Sequence, residues 1–561
     1  MPETLIAALL RPRRLSVLVA LSAVLGVAYA LCSVPIGLLM GTSSYWDFPN
    51  LGGPLGSMDV ADVLLGHLYY VQAPWGWPLL HIANLGAPSG TNLYWLDAIP
   101  WLALFGKLVA GVTGSPVHLL GPYWVLCLVG PGTAMTWLLF VAGQRSLLGA
   151  GAATLLADSA LPLIGRGGGL ALSAQFLIVL ALALYLHSQK TQAGRLVGLA
   201  WTTLLVFTVL TNAYLFVMIG GIWAAALVQR GLAQHTARAV LLGEAAAAVG
   251  SVLAVAYISG ILGPDLAGAG AQGFGYASMN LAAPFVPQWS GVIWPLSTYR
   301  IGHGGQMDTV NYLGLGVLLL LVCAIPYGLG WVQRAARKHL CLIVVLSSFV
   351  VYALSNNVYL GSRLLLHVPL PEQVVLALGT LRASIRFFWP VYYAFIGLAL
   401  VLVLRAWPPR VVALMLPLAV ALQLVDTEPT RRFLAANAAR PEKPALDRTQ
   451  IAAELYGASA VLVFPSWGCV LPLVEAGAVP TVQRERLLQQ NVEIQLLAAR
   501  ANRPINSVYN ARLRPDCAAE ARNRTAPLGP GTVAFTLAGV PAPTAARCRM
   551  IGDVQACRAA D

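Results

Sequence analysis

The chain has 561 residues, of which 58% are hydrophobic and only 10% charged, and its mean hydropathy is +0.71. Soluble domains carry a charged fraction near a quarter, so this composition excludes an ordinary soluble protein and describes an α-helical polytopic membrane protein. The formal charge of +13 does not point to nucleic acid, because the arginines sit in short clusters between apolar runs, which is the positive-inside pattern.

Apolar runs near the roughly 20 residues that a bilayer core demands fall at about 15–38, 119–142, 147–164, 169–187, 196–211 and 213–229. Others follow at about 238–262, 312–331, 340–357, 387–405 and 410–426, which predicts about eleven transmembrane helices. Arg11, Arg13 and Arg14 precede the first run, and Arg145, Lys190 with Arg195, and Arg230 with Arg238 flank later ones. Arg334, Arg337 and Lys338 follow the eighth, and Arg405 and Arg410 separate the last two. All of these fall on one side of the membrane on one condition: the stretch 96–112, LDAIPWLALFGKLVAGV, must not cross. Its Pro100, its Lys107 and its length predict an interfacial or re-entrant juxtamembrane helix.

With the N-terminus cytoplasmic, the opposite face receives loops at about 41–118, 263–311 and 358–386 and the whole tail. Residues 1–427 form the transmembrane domain and residues 428–561 a soluble domain. The pair of runs across 196–229 turns at TNAYLF, where Asn212 and Tyr214 would face the outer side; a single long helix is the competing reading.

In the tail, Ser459–Phe464 and Gly531–Leu537 read as strands and Val492–Arg500 as a helix, predicting a small α/β domain. Four of the eight cysteines, Cys469, Cys517, Cys548 and Cys557, lie there. An even number on an oxidising face favours two disulfides, and four cysteines allow three connectivities. Cys32, Cys127, Cys323 and Cys341 fall in or beside apolar runs, as small packing residues do.

No P-loop, dinucleotide fingerprint, HExxH or GxSxG is present, so the chemistry must lie with carboxylates and arginines in the outer loops. The stretch Met58 to Lys107 is too polar to span a bilayer and too aromatic for a linker. It carries Asp59, Asp62 and Asp97 among Trp75, Trp77, Trp95 and Trp101, rings that favour the membrane interface. Asp59 and Asp62 are three apart, which puts them on nearly one face of a short helix, with Leu65 and Tyr69 continuing the line. A carboxylate held there can take a proton from an acceptor hydroxyl or bind a divalent cation; capping a helix is its structural alternative. His67, on the same segment, and Asp97 join the candidate substrate contacts.

Arg382 and Arg386, in TLRASIRFFWPVYY, are four apart and would share a helix face at the outer mouth of a span. Two guanidiniums so placed can clamp a phosphate or diphosphate, while snorkelling to headgroups is the alternative. The loop GFGYASMNLAAPFVPQWSGVIWPLSTYRIGHGGQMDTVNYLGLG offers Tyr276, Asn280, Tyr299, His303, Asp308 and Asn311, the mixture of rings, amides and carboxylate that sugar hydroxyls use.

One span, a long outer loop with an early acid, juxtamembrane helices, many further spans and a periplasmic tail together resemble the GT-C superfamily of integral-membrane glycosyltransferases. That superfamily includes the protein O-mannosyltransferases and the lipid A aminoarabinose transferase. The strings MDVADVLLGHLYYVQAPWGWPL, NLYWLDAIPWLALFGK, GFGYASMNL, NYLGLG and LRASIRFFWPVYY are similar to an uncharacterised family of bacterial GT-C-like membrane proteins, over about residues 10 to 430. The resemblance implies a bacterial inner-membrane enzyme that moves a sugar from a polyprenyl-phosphate donor to a periplasmic glycan, lipid or protein acceptor. In it, the first-loop acid is the catalytic base, a role that maps onto Asp59 with Asp62 as alternate, and an arginine at a late span binds the lipid phosphate, a place that Arg382 or Arg386 fits. The adjacent acid pair of many members is split here as Asp59 and Asp62, which leaves the use of a divalent cation open. Rival classes are a lipid-linked glycan flippase, whose polar path would draw on Asp158, Arg166, Gln175 and Glu244, and a non-catalytic component of polysaccharide assembly or export.

Overall fold

The computed structural model describes residues 3–49, 58–165, 169–190, 195–234, 236–263, 274–293, 301–438, 444–477, 480–510, 516–537, 540, 543 and 546–559. Arg166 and Tyr299, both singled out above, lie outside the described residues.

The helices used below are α1 (Leu15–Ser33), α2 (Met58–Gln72), α3 (Pro100–Thr113), α4 (Leu120–Val141), α5 (Leu147–Asp158), α6 (Phe176–Ser188), α7 (Arg195–Val209) and α8 (Ala213–Ala233). They continue as α9 (Arg238–Ile258), α10 (Leu315–Lys338), α11 (Leu340–Leu354), α12 (Trp389–Ala406), α13 (Pro409–Asp426), α14 (Trp467–Glu475) and α15 (Arg484–Arg500). Every apolar run singled out in the sequence is helical over most of its length. Among the described residues, seven helices are long and apolar enough to cross a membrane: α1, α4, α6 with the turn from Leu170, α8, α9, α12 with the turn from Ser384, and α13. The others are shorter. Helix α5 stops after 12 residues, α7 and α11 have 15 each, and the apolar part of α10 ends at Pro326.

The chain divides into two compact units. The first comprises Met1–Met40, Leu120–Leu253 and Gly270–Ala439. Its helices approach closely where small residues meet: a Cβ on Gly132 of α4 would lie 2.8 Å from the Thr154 backbone of α5, and one on Gly26 of α1 would lie 3.0 Å from Asp158. Small residues at helix crossings let backbones touch, and short polar side chains tie them together. Ser22 and Thr154 share a 2.6 Å hydrogen bond. Pro131 interrupts the hydrogen-bond ladder of α4, and the next amide, Gly132, donates to Asp158 Oδ1 at 2.7 Å. Tyr393 donates to Gln175 Oε1 at 2.9 Å, and Arg230 pairs with Glu244 at 2.6 Å.

The second unit comprises Gly41–Leu119, Ala254–Ala269 and Arg440–Asp561, so it holds the first long loop as well as the tail. Its sheet has the order β1 (Ala460–Phe464), β2 (Thr532–Thr536), β4 (Val554–Ala559), β3 (Ala546–Ile551). The β1–β2 pair is parallel and the others antiparallel. The loop adds to this sheet through Ile505, which bridges to Leu85 on one side and to Val461 of β1 on the other. The Ile505 amide donates to the Asn84 carbonyl at 2.9 Å, and the Ala87 amide to the Ile505 carbonyl at 2.8 Å. Tyr69 of α2 donates to the Arg503 carbonyl at 2.9 Å, and Gln72 to Ala499 of α15 at 3.1 Å. Phe48 lies between the guanidiniums of Arg448 and Arg500, at 3.6 and 4.5 Å from its ring centre.

Helix α3, at 14 residues, is too short to cross a bilayer alone and packs on α2 in this unit. Its buried Lys107 is satisfied by the Pro74 carbonyl at 3.2 Å and by the rings of Tyr70 and Trp75.

Both disulfides expected in the tail form, as Cys469–Cys517 and Cys548–Cys557. The first closes a separation of 48 residues and the second joins directly opposed residues of β3 and β4 only 9 apart. Loop-closure entropy grows with the length enclosed, so Cys469→Ser is expected to destabilise this unit by ~4 kcal/mol and Cys548→Ser by ~2–3 kcal/mol. Thermal melts of the two variants check that order, and an equal loss from both would contradict it.

Candidate functional site

The acid site belongs to the second unit. Asp59 sits in the first turn of α2, where a carboxylate is favoured by the helix dipole, and is exposed. One turn further, Asp62 is only 5% exposed, and Leu65 and Tyr69 below it are fully buried. The three-residue spacing therefore does build one face, but that face turns inward and leaves Asp59 at its mouth. Burial holds the Asp62 carboxyl well above the usual carboxylate range, and the charges of Asp59 and Asp97 add to this. Asp59 and Asp97 are thus both close enough to act on Asp62. Asp97 is exposed, in a left-handed conformation with φ 51°, closing a short helical turn over Leu93–Leu96.

His67, named above among the candidate substrate contacts, has a structural tie. It is buried one turn beyond Asp62, and its Nε2–H donates to the Ala98 carbonyl at 2.7 Å, tying α2 to the turn that carries Asp97. Burial pushes this imidazole down to about 4. An imidazole that folds neutral favours the folded state above its unfolded pKa, and that contribution is lost as pH falls from about 6.5 towards 4. The loss amounts to ~3 kcal/mol. His67→Gln is expected to flatten that part of the stability profile relative to the unmodified chain; denaturant melts at pH 7 and pH 4.5 read the difference, and parallel profiles would contradict it.

The four tryptophans of the loop divide. Trp75 and Trp77 are 55% and 64% exposed, Trp77 with its edge against Tyr257, whereas Trp101 is half-buried and Trp95 buried. Only the exposed pair suits an interfacial position.

The guanidinium site belongs to the first unit. Arg382 and Arg386 do not share a helix face as their spacing suggests. Arg382 is exposed in irregular backbone, Ser384–Phe388 forms a tight 3₁₀ turn, and α12 begins only at Trp389. The Arg386 guanidinium is held in a fork by Asp308, Nε to Oδ2 and Nη2 to Oδ1, each at 2.8 Å. It lies 4.7 Å from the ring centre of Tyr214, whose hydroxyl accepts from the Ala383 amide at 3.1 Å. Asn212 caps α8 by accepting from the Tyr214 amide at 2.9 Å, and Asn311 donates to the Ile385 carbonyl at 3.1 Å. Five residues singled out separately in the sequence, Asn212, Tyr214, Asp308, Asn311 and Arg386, thus build one constellation. Its charge is internally balanced, so Arg386 is a poor phosphate clamp and Arg382 is the exposed guanidinium.

Asn280 is fully engaged. Its Nδ2 donates to the Gly361 carbonyl at 2.7 Å and to Gln306 at 3.0 Å, and its Oδ1 accepts from the Gly361 and Ala282 amides. These four bonds fix the loop to Gln306 and Gly361. His303 stacks on Tyr276 with ring centres 5.1 Å apart, and meets Tyr359 edge-on; burial lowers its pKa. Tyr276 is 59% exposed, an open ring face backed by that stack.

The described residues contain no group of three or more His, Cys, Asp and Glu side chains disposed to hold a metal ion. What the acid site offers on its own residues is an exposed carboxyl, Asp59, able to accept a proton, beside a buried one, Asp62.

Sequence reasoning missed two features. The Arg386–Asp308 pair joins residues 78 apart, and no local pattern announces it. The union of the first loop with the tail rests on backbone contacts such as Leu85 with Ile505, which leave no periodic trace.

Among curated proteins, nothing matches the chain. A family model described as "Domain of unknown function (DUF6311)" matches residues 23–428, and one described as "DUF6311 C-terminal domain" matches residues 451–559. The helical region and the disulfide-bonded tail together make this chain a member of the DUF6311 family.

Proposed function

We propose that the protein is a GT-C-type glycosyltransferase of the bacterial inner membrane, moving a sugar from a polyprenyl-phosphate donor to a periplasmic acceptor. The observation that carries this reading is the acid site, where exposed Asp59 stands at the mouth of the face on which Asp62 is buried, its carboxyl held above the usual range by that burial. In the reaction, the acceptor hydroxyl oxygen attacks the anomeric carbon, its proton passes to Asp59, and the bond to the phosphate oxygen breaks. Polyprenyl phosphate leaves with the electron pair. A lipid phosphate is already a competent leaving group, so orientation, proton removal and charge neutralisation are the tasks left to the protein. Arg382 would meet the donor phosphate, with the braced constellation around Arg386 fixing the segment that presents it.

The topology supports the reading. The first loop and the tail belong to one compact unit and so share a compartment, and two disulfides favour an oxidising one. Eleven crossings, with the shorter helices completed by flanking turns, are part of the proposal. The flippase alternative needs a polar path, but Asp158, Gln175 and Glu244 each bond to a neighbouring segment and serve as ties between helices.

The test is binding of polyprenyl phosphate, with the unphosphorylated polyprenol as control, to the purified chain. The phosphate form is expected to bind more tightly, and Arg382→Ala to weaken it ~10-fold or more, the worth of a charge-assisted contact. Equal binding of the two lipids would remove the donor assignment.

A further inference from the structure

The first unit also holds a cationic cavity that shares no lining residue with either candidate site. Lys190 follows α6, Lys338 ends α10, and Arg405 lies in the last turn of α12. These three line a cavity of about 460 Å³, within the roughly 300–1,000 Å³ of small-molecule sites. Apart from Gln189 and from His339, which hydrogen-bonds Tyr185, the rest of its wall is aliphatic, including Leu138, Leu182, Leu342 and Val401. No carboxylate is among the described residues that line it. Arg145 is near enough to act on Lys190 together with Arg405 and Lys338; burial and these three cations all lower the Lys190 pKa.

Part of this charge has a structural use. Lys190 donates to the Val141 carbonyl, and Arg405 Nη2 donates to the Ala142 carbonyl at 2.6 Å, so both satisfy the carbonyl end of α4. A helix C-terminus supplies only about half a negative charge, which leaves a strong cationic excess at the rim. Next to the cavity, α11 exposes Leu340, Ile343 and Val344, so the aliphatic wall continues onto a surface of the kind that meets lipid. A soluble anion would use the rim and leave the cavity behind it without a role. A lipid with a phosphate headgroup uses both.

We propose that this cavity seats one acyl chain of an anionic membrane phospholipid, whose headgroup phosphate is held by Lys190, Lys338 and Arg405. This lipid is distinct from the sugar donor, and the proposal does not depend on the glycosyltransferase reading.

Native mass spectrometry of the full chain tests it, with phosphatidylglycerol and phosphatidylcholine of identical acyl chains added in turn. One phosphatidylglycerol is expected to be retained ~10-fold more strongly than phosphatidylcholine, since each basic residue contributes a several-fold preference for an anionic headgroup. The Lys190→Gln/Lys338→Gln double variant should abolish that preference. Ala394→Phe, which fills the cavity and leaves the rim intact, should lower retention of both lipids. Equal retention of the two lipids by the unmodified chain would overturn the proposal without reference to any variant. Displacement of the lipid by excess inorganic phosphate would reassign the rim to a soluble anion, and undiminished retention by Ala394→Phe would place the chain outside the cavity; either result overturns the proposal.

Discussion

Asp59→Asn is expected to cut sugar transfer by roughly 10²–10⁴-fold, the usual worth of a positioned general base, with the amount of protein in the membrane unchanged. The amide keeps the size of the side chain and its place in the first turn of α2 but cannot take the acceptor's proton. The cell should lose the corresponding surface glycan and accumulate the lipid-linked sugar. Asp62→Asn separates activity from stability. A buried carboxyl whose pKa is raised keeps its proton where the unfolded chain has released it, so it destabilises the fold increasingly as pH rises above about 4. Removing it should stabilise the second unit at neutral pH by ~0.5–2 kcal/mol and flatten that slope, while activity falls. Undiminished glycan in both variants would end the base assignment, and a scaffold role would then fit better.

Arg386→Ala and Asp308→Ala should each destabilise the helix bundle by about 2–3 kcal/mol. Each leaves its partner's charge largely out of water, with side-chain exposures of 13% and 21% in the intact pair, and breaking such pairs is costly. The double variant should recover part of that loss, because no unpaired charge remains. Denaturant or thermal melts arranged as a double-mutant cycle measure the coupling. Arg382→Ala, at an exposed position, should leave stability within about 0.5 kcal/mol and act on donor binding instead. Additive losses from Arg386→Ala and Asp308→Ala would show that the pair carries no coupling and would reopen a clamp role for Arg386.

The sequence made the helices legible because sustained apolar length is a strong, local signal. The turn at Thr211 is an example, with Asn212 capping α8 just after it. It was a poorer guide to lengths: α5 stops at Asp158, where Ser159 and Ala160 leave the helix before Leu161–Ile164 resumes. In the tail, β1 and β2 were visible as apolar runs. Strands β3 and β4, ARCRMI and VQACRA, were not, because arginine and glutamine dilute their alternation and it is the Cys548–Cys557 bond that joins them. At the guanidinium site the residues were found but their arrangement was not. An i, i+4 argument assumes a helix, and α12 begins only at Trp389, with Pro390 in its first turn, leaving Arg382 in irregular backbone and Arg386 in a 3₁₀ turn. The acid pair fared better, since its spacing gives a shared face whichever way that face turns; its inward turn depends on contacts with α15 and Arg503, which are over 400 residues away.

Sugar transfer as proposed requires Asp59 and Arg382 to meet the same compartment, opposite the basic residues around Lys190. Thiol labelling measures this directly. In a background with Cys32, Cys127, Cys323 and Cys341 replaced by serine, Asp59→Cys, Arg382→Cys and Lys190→Cys are each exposed to a membrane-impermeant maleimide in cells whose outer barrier has been opened and whose inner membrane is intact. Labelling of the first two, with the third reacting only after lysis, is the predicted result. Labelling of positions 59 and 382 from opposite sides of the membrane would contradict the account.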